Sequence, residues 1–185
     1  MQKIHKFPLI MKGTSALTAV VTVVLGLIYL HEPHGWILPA AITFGTTCYH
    51  FSMRLAVGLI IPKLFAKVNP AHKWFQPKAF EEGLYRFLRI RKWKKYVPTY
   101  APESFSMAIP LEQIARTMCI SELVHIFIVP FSFLPLLFAV PFGELAVFAI
   151  TSVIAAMVDC IFILLQRYNR PRVLRILAKR RSVIE

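Results

Sequence analysis

The sequence predicts an all-α integral membrane protein with four transmembrane helices and cytoplasmic N- and C-termini. Of its 185 residues, 57% are hydrophobic and 17% are charged, and the mean hydropathy is +0.59. A soluble domain is about 45–50% apolar and about 25% charged. The apolar residues form runs long enough to cross a bilayer, and the basic residues lie in blocks beside these runs. We therefore expect a single membrane domain over residues 1–185.

The strongly positive charge is more typical of a membrane surface than of a nucleic-acid interface. The net charge is +13, but the cations flank the apolar runs, as they do on the cytoplasmic face of membrane proteins. We expect membrane lipids, and no nucleic acid, as partners. Cys48, Cys119 and Cys160 each lie in an apolar segment, which argues against a disulfide framework. Neither a metal site nor a cofactor is expected, because the spacing of Cys and His matches no metal-ligand pattern.

The first two predicted spans cover residues 14–30 and 36–61. The second span carries His50 and Arg54 four residues apart, so that both lie on one helix face. Ionisable groups at membrane depth usually face the bundle interior, a partner or a water-filled cavity. The alternative is that Arg54 extends to the interface while His50 bonds to a neighbouring helix.

A polar stretch, residues 63–112, separates the second span from the third. Apolar residues recur at helical spacing in residues 80–93, which predicts an amphipathic helix in the headgroup region. Pro98, Pro102 and Pro110 then predict an irregular loop. The basic run Arg89–Lys95 either contacts the membrane or holds the phosphates of an anionic acyl donor such as a coenzyme A thioester.

The last two predicted spans cover residues 113–140 and 144–165. The third holds Glu122 and His125, which are three residues apart and project from one helix face. The fourth carries Asp159 and leads into residues 166–172, which open a basic tail over residues 166–185. Pro171 lacks a backbone donor and disfavours helix at the residue before it, so we expect the helix to end here.

The distribution of positive charge predicts the topology and the depth of a polar layer. The N-terminal segment carries three Lys, the central stretch ten Lys or Arg, and the tail seven, whereas the turns at residues 31–35 and 141–144 carry none. Because cytoplasmic segments carry an excess of Lys and Arg, we expect both termini and the central stretch on the cytoplasmic side. At a helix rise of about 1.5 Å per residue, Arg54, His125 and Asp159 lie about 12–14 Å from the cytoplasmic boundary and Glu122 about 9 Å. We therefore expect a polar site in the cytoplasmic leaflet.

The residue types in this layer suit acyl transfer to a hydroxyl. A histidine beside a carboxylate can act as a general base, which makes His125 with Glu122 or Asp159 a candidate catalytic pair. Arg167 or Arg170 would stabilise oxyanion charge or bind phosphate. The alternative is that these residues only hold the helices together as buried pairs.

Three sequence blocks carry a family resemblance. LRIRKWK at residues 88–94, SELVH at 121–125 and QRYNRPR at 166–172 resemble, in this order, the glycosyl-4,4'-diaponeurosporenoate acyltransferase family of staphyloxanthin biosynthesis. The resemblance implies a multi-pass enzyme of the cell membrane that esterifies a sugar hydroxyl of a glycosylated carotenoid acid with a fatty acyl group. Together with the polar layer, it gives the expected substrate-binding residues His50, Arg54, Arg91, Lys92, Trp93, Lys94, Asp159, Gln166, Arg167, Tyr168, Asn169, Arg170 and Arg172.

The sequence leaves several alternatives open. The acceptor could be another glycolipid or a polyprenyl-linked sugar, and the acyl donor and the oligomeric state are not defined. A non-catalytic membrane adaptor that uses the basic stretch is a second hypothesis. A small lipid or isoprenoid transporter is a third, although the outer halves of the predicted spans lack the charges that a polar path would need.

Overall fold

The computed structural model of the protein describes residues 6–97 and 109–184. These residues form α-helices and 3-10 turns with no strand among them, so the predicted all-α class is confirmed for this part of the chain. The loop predicted at Pro98 and Pro102 lies outside the described residues. The helices are α1 Lys6–His31, α2 Ile37–Leu64, α3 Glu81–Phe87, α4 Ile90–Trp93, α5 Leu111–Phe131, α6 Ala139–Phe142 and α7 Leu145–Ile184.

Within the described residues, three helical segments are long and apolar enough to cross a membrane. They are Pro8–His31, Leu111–Phe142 and Leu145–Arg180, which overlap the first, third and fourth predicted spans. The predicted second span forms α2, whose 28 residues would reach across a hydrocarbon core of about 30 Å. It is not among the three, because its polar residues, including His50 and Arg54, lower its hydropathy. The number of spans and the side of the termini stay predictions.

The chain divides into two compact units. The first consists of Met1–Ile60 and Ile126–Cys160, and the second of Ile61–His125 and Ile161–Glu185. The first therefore contains α1 and most of α2, and the second contains α3 and α4. The helices α5 and α7 each contribute residues to both.

Small and polar side chains bring helices together in the first unit. The hydroxyls of Ser15 and Ser52 lie 2.6 Å apart, which joins α1 to α2. A Cβ atom on Gly45 would lie 3.3 Å from the Thr22 methyl group, so glycine at this position permits close approach of the two helices. The Tyr49 hydroxyl donates to the carbonyl of Phe131 at 2.9 Å. That carbonyl belongs to the last turn of α5 and has no helical partner of its own.

The helix α7 continues through the proline that we expected to end it. Pro171 lies inside α7, and residues 166–172 are helical throughout, so the expected end of the helix at Pro171 is wrong. Proline in a helix removes one hydrogen bond and crowds the carbonyl four residues earlier, here that of Arg167. Ion pairs made by side chains of this same turn offset that cost, as described below.

The predicted amphipathic helix over residues 80–93 is two short helices, not one. Helix α3 ends at Phe87 and α4 begins at Ile90, and between them Arg89 adopts a left-handed conformation with φ of 50°. The Trp93 indole donates to the Leu88 carbonyl at 2.8 Å and so satisfies a group freed at the break. The break lets both Glu81 and Ile90 be buried. That this segment lies in the headgroup region stays a prediction.

Candidate functional site

A buried carboxylate holds two arginines in the second unit. Glu122 on α5 is 0% exposed, and its two oxygens accept hydrogen bonds from Arg167 at 2.6 Å and from Arg170. Arg170 is itself only 1% exposed. Charge-assisted hydrogen bonds of this kind are stronger than neutral ones, and a buried ion requires them. The two arginines, three residues apart on α7, thus fix this turn against α5.

A second buried acid completes the group. Glu81 on α3 is 4% exposed and accepts a hydrogen bond from Nε of Arg167 at 2.8 Å. The Tyr85 hydroxyl donates to the other oxygen of Glu81 at 2.8 Å. We call Glu81, Glu122, Arg167 and Arg170 the ion-pair cluster, and its formal charges cancel. Burial and the hydrogen bond to Glu81 raise the pKa of Tyr85, so its hydroxyl remains a neutral donor.

Backbone carbonyls of a short turn supply the remaining acceptors. The 3-10 turn Lys73–Phe75 presents the Phe75 carbonyl to Arg170 at 2.6 Å. The Arg170 guanidinium lies 5.0 Å from the centre of the Phe75 ring. The carbonyls of Trp74 and Gln76 both lie 3.4 Å from the terminal nitrogens of Arg167. The backbone of residues 74–76, which precedes α3, therefore accepts hydrogen bonds from both arginines of α7.

Sequence reasoning missed Glu81, Tyr85 and Phe75. A signal for the acid was present, because Glu81 and Glu82 are the only acids among the cations of residues 63–97. An acid with a tyrosine four residues later on one helix face also indicates a hydrogen-bonded pair. The carbonyls of residues 74–76 carry no such signal, since every residue has one.

We expect Tyr85→Phe to lower the free energy of unfolding by about 1.5 kcal/mol, because it removes one hydrogen bond to a buried carboxylate. Thermal unfolding of the detergent-purified protein measures this loss. The matched control is Tyr96→Phe, since Tyr96 is 75% exposed. Equal unfolding temperatures for both variants would contradict the role assigned to Tyr85.

Tyr168 on α7 carries a second set of contacts. The Lys94 ammonium and the Arg172 guanidinium lie 4.9 Å and 4.5 Å from the centre of its ring. Arg172 also donates to the Tyr168 hydroxyl at 2.8 Å, and Lys94 donates to Asn169 Oδ1 at 2.9 Å. Tyr85 packs edge-on against Tyr168 with 5.2 Å between ring centres. Four of the predicted binding residues thus meet in one place.

The structure gives no contact with Tyr168 for the other predicted binding residues of this unit that are described here. Arg91 and Lys92 are exposed on α4, and Gln166 is half-buried on α7. Trp93 uses its indole N–H on the Leu88 carbonyl.

The predicted general base, His125, lies one turn after Glu122 on α5. Its half-buried imidazole stacks on Phe162 of α7, with 4.7 Å between ring centres and 13° between ring planes. The stack orients the ring, and the residue as a whole is only half-buried. An oriented, accessible imidazole is what general-base catalysis on a hydroxyl requires.

The remaining predicted site residues lie in the first unit. Arg54 on α2 forms an ion pair with Asp159 on α7, and also donates to the carbonyls of Ala155 at 2.9 Å and His50 at 3.1 Å. Asp159 is 1% and His50 6% exposed, and neither His50 ring nitrogen has a hydrogen-bond partner among the described residues. Arg54 is therefore paired with a buried acid of α7. That this group and the ion-pair cluster form one site stays a prediction.

Removing one partner of the Arg54–Asp159 pair should destabilise the protein. We expect Asp159→Asn to lower the free energy of unfolding by about 3 kcal/mol, because it leaves a poorly solvated guanidinium without its counter-ion. The double variant with Arg54→Gln should recover much of the loss, since both charges are then gone. Chemical denaturation in detergent measures the free energy of unfolding of the wild type, of each single variant and of the double variant. Glu32→Gln, at a side chain 73% exposed, is the control, and an equal loss there would argue against the pair.

The arrangement of the described residues offers acid–base and ionic chemistry. No group of three or more His, Cys, Asp or Glu among them could hold a metal ion. The described chemistry therefore includes the half-buried His125 imidazole on α5, the charge-neutral ion-pair cluster, the Arg54–Asp159 pair, and the cations around Tyr168.

Comparison with known proteins places the chain in a family. No curated protein and no solved structure matches it. A family model described as glycosyl-4,4'-diaponeurosporenoate acyltransferase matches residues 71–179, more than half of the chain. The matched range includes the whole ion-pair cluster, His125 and the residues around Tyr168. The chain therefore belongs to the glycosyl-4,4'-diaponeurosporenoate acyltransferase family, as its three sequence blocks predicted.

Proposed function

We propose that the protein is a membrane acyltransferase that esterifies a hydroxyl of a lipid-linked sugar with a fatty acyl group at the cytoplasmic leaflet. The observation that carries the proposal is the family match over residues 71–179, whose description names an acyltransferase. The acceptor we propose is a glycosylated carotenoid acid. Three apolar helical segments long enough to span a bilayer support a membrane location for the protein, where a lipid-linked acceptor would be available.

His125 is the residue to which we assign proton transfer. Its imidazole takes the proton of the sugar hydroxyl while the oxygen attacks the carbonyl carbon of an acyl thioester, which we propose to be a coenzyme A thioester. The new C–O ester bond forms, the C–S bond breaks, and the imidazolium gives its proton to the leaving thiolate. A positioned general base of this kind contributes about 10²–10⁴-fold to the rate.

We assign Glu122 a positioning role. Both of its oxygens accept hydrogen bonds from arginines, and the cluster to which it belongs is already neutral. Such a carboxylate is poorly suited to accept a proton from substrate. By fixing α5 against α7, Glu122 holds the turn that carries His125 where the ring can stack on Phe162.

Lipid mass spectrometry tests the proposal. Cells that make a glycosylated carotenoid acid are compared with and without the protein, and a new lipid heavier by one fatty acyl chain, esterified at the sugar, is expected. Lys179→Gln, an exposed change in the basic tail, serves as a control that should leave the product unchanged. Identical lipid profiles with and without the protein would contradict acyl transfer. The same ester on a different glycolipid would keep the reaction and change the acceptor.

A further inference from the structure

Among the described residues, positive charge accumulates around Tyr168 without a compensating acid. The Lys94 ammonium and the Arg172 guanidinium both lie on its ring, at 4.9 Å and 4.5 Å from its centre. Within residues 6–97 and 109–184, no carboxylate pairs with Lys94, Arg172 or the adjacent Arg91. The ion-pair cluster differs in this respect, since both of its arginines are neutralised by buried acids.

This lack of a counter-ion has an electrostatic cost. Burial, together with the charges of Arg172 and Arg91, lowers the pKa of the Lys94 ammonium. Like charges in a partly desolvated place repel, and the cation–π contacts with Tyr168 offset only part of this repulsion. A bound anion would remove the remaining cost.

The donors that remain available match a phosphate group. Lys94 uses one of its N–H groups on Asn169 and Arg172 uses one on the Tyr168 hydroxyl, so each keeps further donors. Because the Tyr168 hydroxyl accepts from Arg172, its own proton is free to point towards a ligand. Arg91 and Arg172 are exposed, and Lys94 is half-buried, so a ligand can reach them. Arg and Lys donors together are the usual partners of phosphate oxygens.

We propose that Lys94 and Arg172, which both contact Tyr168, form a phosphate-binding site together with Arg91, an exposed cation three residues before Lys94. The phosphate comes either from the acyl donor, whose coenzyme A portion carries three, or from the headgroup of an anionic lipid. The first source rests on the proposed function and would anchor the donor away from the reacting thioester. The second does not depend on catalysis.

Calorimetric titration of the full-length protein in nanodiscs of phosphatidylcholine tests the site. Coenzyme A is the probe, and pantetheine, which has the thiol but no phosphate, should show no detectable binding. We expect Lys94→Gln and Arg172→Gln each to weaken coenzyme A binding about tenfold, because each removes a charge-assisted hydrogen bond. Lys179→Gln and Arg175→Gln, both exposed on the same helix, are the matched controls and should bind as the wild type does.

A second arm identifies the lipid source. Native mass spectrometry counts phosphatidylglycerol molecules retained by the wild type and by Arg172→Gln, which changes an exposed residue and should fold normally. Loss of coenzyme A affinity assigns the site to the donor, and loss of phosphatidylglycerol alone assigns it to a headgroup. If neither ligand responds to either substitution, the site does not exist. His125→Ala should keep coenzyme A affinity, because His125 is not among the phosphate-binding residues. Absence of acyl transfer by the wild type would overturn the proposed function, whereas coenzyme A binding that still depends on Lys94 and Arg172 would leave the phosphate site standing.

Discussion

Replacing His125 by alanine is expected to lower the rate of acyl transfer by about 10²–10⁴-fold, because no general base then takes the hydroxyl proton. The protein should remain folded, since the lost stack on Phe162 is worth only about 1 kcal/mol. Lipid mass spectrometry of ester product per unit of protein and time gives the rate. Thermal unfolding of the same preparations confirms that folded protein is compared.

Two controls separate proton transfer from packing. Phe162→Leu removes the stacking partner that orients the ring but keeps the imidazole, so we expect a loss of rate that is clearly smaller than that of His125→Ala. His34→Ala removes an exposed histidine, 66% exposed at its side chain, and should have no effect. A wild-type rate for His125→Ala would contradict the assignment.

The pattern of losses also decides among the alternative functions. The adaptor hypothesis predicts that Lys92→Ala and Lys94→Ala abolish function while His125→Ala is silent. The transporter hypothesis predicts that lipid changes leaflet without any new ester. Acyl transfer predicts the new ester and its dependence on the imidazole.

The helices and the family could be predicted from the sequence, from the long apolar runs and from the three sequence blocks. The apolar runs gave the helices, because a helix in lipid must satisfy its backbone internally whatever its neighbours are. The three blocks gave the family, because they keep side chains of fixed type at fixed spacing. The spacing of Glu122 and His125 placed both on one face of α5, which the structure keeps helical throughout.

Tertiary contacts explain where the predictions were wrong or incomplete. The sequence-based rule for Pro171 treats the backbone alone, and it cannot include the ion pairs of Arg167 and Arg170 that hold the same turn. The division of residues 80–93 arises because burying both Glu81 and Ile90 requires a change of direction, which Arg89 provides. Neither effect is local in sequence, so neither is visible before the helices are packed.

The pairing of Arg54 with Asp159 illustrates the same limit. Helix rise placed both residues at one depth, but depth does not define which face of each helix meets the other. Their partnership depends on the packing of α2 against α7 within the first unit.

Replacing Glu122 by glutamine should lower the free energy of unfolding by about 3–5 kcal/mol, the cost of leaving a buried charge without its partner. The substitution keeps the size of the side chain but leaves Arg170, 1% exposed, without a carboxylate. Arg167 still has Glu81, so the damage should concentrate at Arg170. Tryptophan fluorescence during denaturation follows the unfolding of the second unit, since Trp74 and Trp93 lie in it. Glu82→Gln changes the exposed neighbour of Glu81 and should unfold as the wild type does.

The same variant decides whether Glu122 positions or catalyses. If Glu122 acts by holding α5 against α7, activity and stability should fall together, and Glu122→Asp, which keeps the charge, should restore part of both. If Glu122→Gln unfolds as the wild type does but transfers no acyl group, the carboxylate takes part in the reaction and the positioning role is wrong. The stability of native domains is about 5–15 kcal/mol. A loss of the expected size is therefore large enough to measure and small enough to leave folded protein for the assay.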